Sequence, residues 1–251
     1  PIVNAARGVA VQVQNAILQF ASSFQTAINP QITKSYAVGD YSYMHSLICR
    51  GAKFSFFLVF LLSLPILVMT NQVLEYWLET PPMYSAAFLQ IIIITALVDC
   101  LSNPLNNAIN ASGRIRSFQL TNGITMLMVI PVSVIVLYMD KNPCWVFVVQ
   151  FALTSFTHFV KLWFAKKRTG LLLKVYLKKV YIPCLFVIIL GSIIPYIIHK
   201  VLAENIFSFC LVGVLCMCSV CIAIYVVGLD NNERIAISKK INSVIGKINI
   251  K

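Results

Sequence analysis

Charge is what this chain has least of. Only 11% of its 251 residues are Asp, Glu, Lys or Arg, and acids are the rarer sign, 8 against 20. A soluble domain is usually about a quarter charged and near half apolar. Here 59% of residues are hydrophobic and the mean hydropathy is +0.83. That balance excludes an ordinary water-soluble globule and implies an integral membrane protein. The net charge of +12 would suggest a nucleic-acid partner if the bases shared one surface. They fall instead in short groups between apolar runs, a pattern of membrane topology rather than of nucleic-acid binding.

Other signals are missing as well. There is no phosphate loop, nucleophile elbow or pair of carboxylates, so the residues imply neither an enzyme nor a cofactor. Cys216, Cys218 and Cys221 give C-x-C-x-x-C, but within "FCLVGVLCMCSVCIAIYVV", where they read as small packing residues rather than metal ligands. His45, His158 and His199 are scattered without ligand spacing. The opening "PIVNAARG" has neither an initiator Met nor the features of a signal peptide, and the chain is expected to start inside a longer protein.

Long apolar runs are present in their place. A helix needs about 20 mainly apolar residues to cross the hydrocarbon core. Seven stretches reach that length: 3–29, 47–69, 86–110, 118–138, 144–165, 182–202 and 206–228, the first being the least apolar. Runs this long exceed barrel strands and lack their alternation, so the fold class is all-α. Pro65, Pro131 and Pro195 fall in mid-span, where neighbouring helices can compensate for the backbone bond each one removes.

Basic residues set the orientation. Alternate connections and the tail hold Lys34, Arg50, Lys53, Arg114, Arg116, the cluster 166–168, Lys174, Lys178, Lys179 and the tail bases. The opposite connections hold only Lys141 and Lys200, while Glu75, Glu79, Asp140 and Glu204 all fall on that side. The asymmetry places the C-terminus on the cytoplasmic side of the membrane. Residues 1–165 then carry five spans, 166–181 an amphipathic basic linker, 182–228 two more spans and 229–251 a basic tail. In the linker Leu172, Leu173, Tyr176, Leu177 and Val180 share a face opposite Lys167, Lys174 and Lys178, as expected of a helix lying on an anionic leaflet.

Three spans carry polar stripes. At about 100° per residue, Asp99, Asn103, Asn106 and Asn110 share one face. In the first span Asn4, Arg7, Asn15, Gln19, Ser22, Thr26 and Asn29 align, with Val13, Ile17, Phe20 and Phe24 facing away. Gln150, Thr154, Thr157 and Lys161 align in the fifth. Such side chains are costly against lipid and are expected to face protein or water. Interhelical hydrogen bonding, at about 0.6 kcal/mol per contact, accounts for single asparagines. Three stripes, each with one charged residue, favour a hydrated cavity lined by Arg7, Asn15, Gln19, Asp99, Asn103, Asn106, Asn110, Gln150, Thr154 and Lys161.

The stretches "NAARGVAVQVQNAILQFASSFQTAINPQITKSYAVGD" and "TALVDCLSNPLNNAINASGRIRSFQ" carry a further signal. With "ARG-x-A-x-Q", "NPQI-x-K-x-Y", a following "GD" and a turn "A-x-G-x-I", the chain resembles the O-antigen-type flippases of the multidrug/oligosaccharidyl-lipid/polysaccharide exporter superfamily. The resemblance implies a MATE-like fold of two six-helix lobes with two extra helices. The seven spans here would match helices eight to fourteen, most of the C-terminal lobe and the extra pair, with the N-terminal lobe missing. It implies alternating-access transfer of an undecaprenyl-diphosphate-linked oligosaccharide across the bilayer, with a hydrated path for the sugars, a cation for the diphosphate and a possible coupling cation. Arg7 and Lys161 are the candidate cations, and pairing with Asp99 is the alternative role for Arg7. Other readings are a cation-coupled multidrug antiporter of the same superfamily, in which Asp99 would be the one intramembrane acid, a seven-span receptor and a structural membrane subunit.

Overall fold

A computed structural model describes residues 2–202, 205–235 and 238. All elements among them are helical: α1 (Ile2–Val38), α2 (Tyr41–Val68), α3 (Thr70–Leu78), α4 (Ser85–Cys100), α5 (Asn103–Ala111), α6 (Arg116–Leu127), α7 (Val129–Met139), α8 (Cys144–Thr169), α9 (Leu173–Tyr176), α10 (Ile182–Val201) and α11 (Ile206–Ala223). π-helical turns at Leu177–Tyr181 and Ile224–Gly228 adjoin α10 and α11. Glu204 and the tail residues 236, 237 and 239–251 lie outside the described residues.

Six helical stretches are long and apolar enough to cross a membrane: Tyr41–Val68, Ser85–Ala111, Arg116–Met139, Cys144–Thr169, Leu173–Val201 and Ile206–Gly228. The chain is a multi-pass, all-α membrane protein. The expected seventh span is α1, whose 37 residues suffice in length while its polar stripe dilutes its hydropathy. It runs on through Pro30 to Val38, where Gly39 adopts φ +81 and its N–H donates to Tyr36 O. A side chain there would be strained, so the glycine permits the reversal. Asp40 starts α2 by accepting from the Tyr43 N–H at 3.0 Å.

α2 is the central post. It packs against α1, α4, α5, α10 and α11, and buries residues along its whole length, from Met44 to Leu64. α4–α5 lies between α1 and α8. Burial is uneven: 61% of the Ser85–Ala111 window is buried inside the bundle but only 11% of the Arg116–Met139 window. The α6–α7 span therefore presents nearly all its surface outward and leans chiefly on α8.

Two readings of helix faces are refined. α1 sets Val13, Ile17, Phe20 and Phe24 away from its polar stripe, but this apolar set is not the face that packs. The helix buries Ala6, Ala10, Ile17, Ala21, Gln25, Ile32 and Ser35 instead, leaving Phe20 61% exposed. Small side chains let two backbones approach closely, and close van der Waals packing drives helix association in lipid. The basic stretch 166–181 is divided: residues 166–169 finish α8, and from Leu173 the chain continues helically into α10. Tyr176 and Val180 turn inward there, while Leu172, Leu177, Lys178 and Lys179 stay exposed.

Candidate functional site: a polar junction at the α4–α5 kink

Pro104 shapes the centre of the bundle. It has no N–H to return to the carbonyl four residues back, and its ring crowds that carbonyl. The carbonyl is Cys100 O, and the helix breaks between α4 and α5 at Leu101 and Ser102. Gln25 of α1 supplies the missing donor: its Nε2 donates to Cys100 O at 3.0 Å and to Ser55 Oγ of α2 at 2.9 Å. Its Oε1 accepts from Asn103 Nδ2 at 2.9 Å. One buried amide thus ties three helices around the kink. A turn further along, Asn107 donates to Asn29 of α1.

The far side of the kink is held by other groups. Tyr176 donates its hydroxyl to Leu101 O at 3.2 Å. Ser102 Oγ and His158 Nδ1 of α8 share a hydrogen bond of 2.8 Å, and His158 Nε2 is bonded to the Tyr181 hydroxyl. The π-helical turn Leu177–Tyr181, one residue wider than an α-turn, directly follows Tyr176 and ends at Tyr181. Both tyrosines point back to the junction.

The ten expected cavity residues are placed unequally around it. Lys161 is buried, with Nζ 4.0 Å from Asp99 Oδ1, and Asp99 is half-exposed. At that separation the pair is a charge contact without a hydrogen bond. Thr154 is buried on the same helix as Lys161, whereas Gln150 is exposed. Asn103 and Asn110 are exposed, and Asn106 is half-buried with its Oδ1 unpartnered among the described residues. On α1, Arg7, Asn15 and Gln19 are all exposed. Arg7 forms no ion pair among the described residues. The partner of Asp99 is Lys161, so the alternative pairing of Asp99 with Arg7 is absent.

Several residues escaped the sequence reading. Gln25 falls at the edge of the α1 stripe and was left out of it. His158 looked like an isolated ring, and Pro104 was not counted among the mid-span prolines. Lys53 was read as a connection charge, yet it is 2% exposed within α2 and donates to Glu233 Oε2 at 2.6 Å. The signal for Lys53 is local: it lies three residues beyond Arg50, thirteen residues into a 28-residue helix and directly ahead of a long apolar run. Among the described residues no group of three or more His, Cys, Asp or Glu side chains comes together.

A family model described as MatE matches residues 3–135, more than half of the chain. The chain belongs to the MatE family. Comparison with curated proteins and with solved structures returned no match. The MatE match runs from α1 into α7, and so takes in the α1 stripe, the Pro104 kink and Asp99 to Asn110. His158 and Lys161, which meet the junction from α8, lie beyond the matched residues, as do Gln150 and Thr154 on the same helix. MatE proteins are membrane transporters, and transport is the function class of this chain.

Proposed function

We propose that this chain forms most of the C-terminal lobe, with two additional helices, of a flippase that moves an undecaprenyl-diphosphate-linked oligosaccharide across the bacterial inner membrane by alternating access. The missing N-terminal lobe of the same protein would close the cavity, the bilayer would take the lipid tail, and the basic asymmetry would put the C-terminus in the cytoplasm. The observation that supports this reading best is Lys161, a buried cation in a membrane span that meets its nearest carboxylate only at 4.0 Å.

A charge in a membrane span is retained where it faces protein or a watery cavity. Lys161 is loosely enough held to exchange Asp99 for a phosphate oxygen. Asn103, Asn106 and Asn110 on α4–α5, Gln150 and Thr154 on α8, and Asn15 and Gln19 on α1 offer the amide and hydroxyl groups that sugar hydroxyls require. Asp99, once released, would be free to take a coupling cation. The α4–α5 kink supplies a bendable element, because its freed carbonyls are bonded by side chains rather than by the helix ladder.

The test is export of lipid-linked glycan in a flippase-deficient strain carrying the protein with its upstream sequence. Lys161→Met is expected to abolish export at normal abundance, and Lys161→Arg to retain part of it. Normal export by Lys161→Met would refute the role. In a cation-coupled multidrug antiporter, Asp99→Asn would instead abolish sodium- or proton-driven dye efflux while glycan export is never observed.

A further inference from the structure

A second polar site lies away from the α4–α5 junction, where α2, the turn Leu177–Tyr181 and the segment after α11 meet. The chain leaves α11 through Ile224–Gly228 and crosses α2 so closely that a Cβ on Gly228 would stand 2.8 Å from the Phe57 ring. This approach brings Asp230 and Glu233 to Lys53. Glu233 Oε2 accepts from Lys53 Nζ at 2.6 Å and from the Asp230 backbone N–H at 2.9 Å, and Asp230 Oδ2 lies 4.0 Å from Lys53 Nζ. Arg50 Nε reaches Glu233 Oε1 only at 3.6 Å.

Beside this pair is a cavity of about 80 Å³, bordered also by Ser46, Lys179 and Asn232. Arg50, Lys53 and Lys179 give three positive charges around it, and Asp230 and Glu233 give two negative ones. One positive charge is left over. The side chains of Arg50, Lys179, Ser46 and Asn232 make no hydrogen bond to another described residue. The Arg50 side chain is 47% exposed, so its guanidinium edge remains available. The cavity is thus lined by unused donors, at one end of a membrane bundle and next to the basic turn carrying Lys178 and Lys179.

We propose that this cavity binds a phosphate group carrying one negative charge, gripped by the Arg50 fork and Lys179 and supported by Ser46 and Asn232. A phosphodiester monoanion matches the surplus charge, and guanidinium holds two phosphate oxygens through parallel N–H donors. The Lys53–Glu233 pair forms the floor of the site. It orders the segment that contributes Asn232 and removes Lys53 from competition for the ligand. The phosphate of an anionic lipid headgroup and free inorganic phosphate share this chemistry. The inference rests on the chain being a membrane protein, and stands apart from the substrate proposed for the junction.

The experiment uses the full chain in phosphatidylcholine vesicles containing a minority of phosphatidylglycerol. Spin-labelled forms of each lipid report which one is held at the protein surface. Preference for the phosphatidylglycerol label is expected to fall at least about tenfold in Arg50→Gln/Lys179→Gln, since each basic group near a membrane surface contributes a several-fold preference. It is expected to rise about fivefold in Asp230→Asn, a gain that a misfolded protein would not give. Lys166→Gln/Lys167→Gln, which removes equal charge from the end of α8, is expected to change it little. Release of the label by millimolar inorganic phosphate from wild type but not from Arg50→Gln/Lys179→Gln would identify free phosphate as a ligand of the same site. Retention of the label in phosphate would identify the lipid headgroup as its ligand. Equal losses in the two double variants, or no gain in Asp230→Asn, would overturn the proposal.

Discussion

Removing either member of the Lys53–Glu233 pair is expected to destabilise the protein, and the two removals should differ in size. Breaking a buried ion pair by deleting one partner costs about 3–5 kcal/mol, because the other charge is left without compensation. Lys53 is 2% exposed and has one close partner; after Glu233→Gln it retains only Asp230 at 4.0 Å, whose side chain is 58% exposed. That variant should lose about 3 kcal/mol or more. Glu233 is better insured. After Lys53→Met it keeps Arg50 at 3.6 Å and the Asp230 N–H at 2.9 Å, and the loss should be nearer about 2 kcal/mol. In Lys53→Met/Glu233→Gln no charge is stranded, so the double variant should be more stable than Glu233→Gln alone. The purified chain in mild detergent can be followed by loss of monodisperse protein on heating. At about 2–4 °C per kcal/mol for a chain of this size, Glu233→Gln should lower the midpoint by about 10 °C. A midpoint equal to wild type, or a double variant worse than Glu233→Gln, would refute the argument that Lys53 is the dependent partner.

Gln25→Leu should lower the same midpoint by several degrees, because it strips partners from the buried Cys100 O and Ser55, each unmet buried group costing about 1–3 kcal/mol, and from the exposed Asn103; an unchanged midpoint would show that water replaces the amide. Gly228→Ala forces a methyl to 2.8 Å from Phe57 and should cost about 1–3 kcal/mol, with Phe57→Leu in the same chain recovering much of it; additive losses in the midpoint would refute the close approach. In an export assay of the protein with its upstream sequence, Arg7→Gln should impair transport far less than Asn15→Leu/Gln19→Leu, and the opposite order would place the essential cation at Arg7.

The apolar spans were legible because hydropathy over about 20 residues is a strong, local signal. What hydropathy could not give was the side on which each helix packs. Gln25 lies about 65° round α1 from the axis of its polar stripe, on the side of Ala10, Ile17 and Ala21. Whether such an edge residue is solvated or buried depends on which neighbour arrives, and here α2 and α4 arrive on the alanine side. The same blindness left open which face of α1 packs, and Phe20, opposite the polar stripe, is exposed. Lys53 misled for a related reason. A lysine near the end of a span reads as a topology marker, and its partner, Glu233, is 180 residues away. Nothing local links the two. Pro104 was visible but unweighted, because its effect is felt at Cys100 and Leu101, carbonyls whose partners come from distant parts of the chain. The ion pair of Asp99 with Lys161 likewise required knowing that α4 packs against α8.

The length of α1 bears on its stripe. A 37-residue helix is about 55 Å long at 1.5 Å per residue, nearly twice the thickness of the hydrocarbon core. Arg7 and Lys34 are its two cations, and the 27 residues from one to the other span about 40 Å. That is close to the thickness of a bilayer with its headgroups, about 40–45 Å. An α1 lying nearly along the membrane normal therefore puts both cations at the headgroups, where each can snorkel at small cost. Asn15, Gln19, Ser22 and Thr26 have no such escape. They occupy the hydrocarbon depth, their side chains are exposed on this bundle, and lipid offers them no partners. Thr26 is partly satisfied, since its Oγ1 donates to the Ser22 backbone carbonyl. The amides of Asn15 and Gln19 make no side-chain hydrogen bond among the described residues. Each is left requiring water, a polar ligand or another protein surface. The unmet polar demand on α1 thus sits at mid-membrane in uncharged side chains, Asn15 and Gln19 above all, while its cation Arg7 lies at the headgroups.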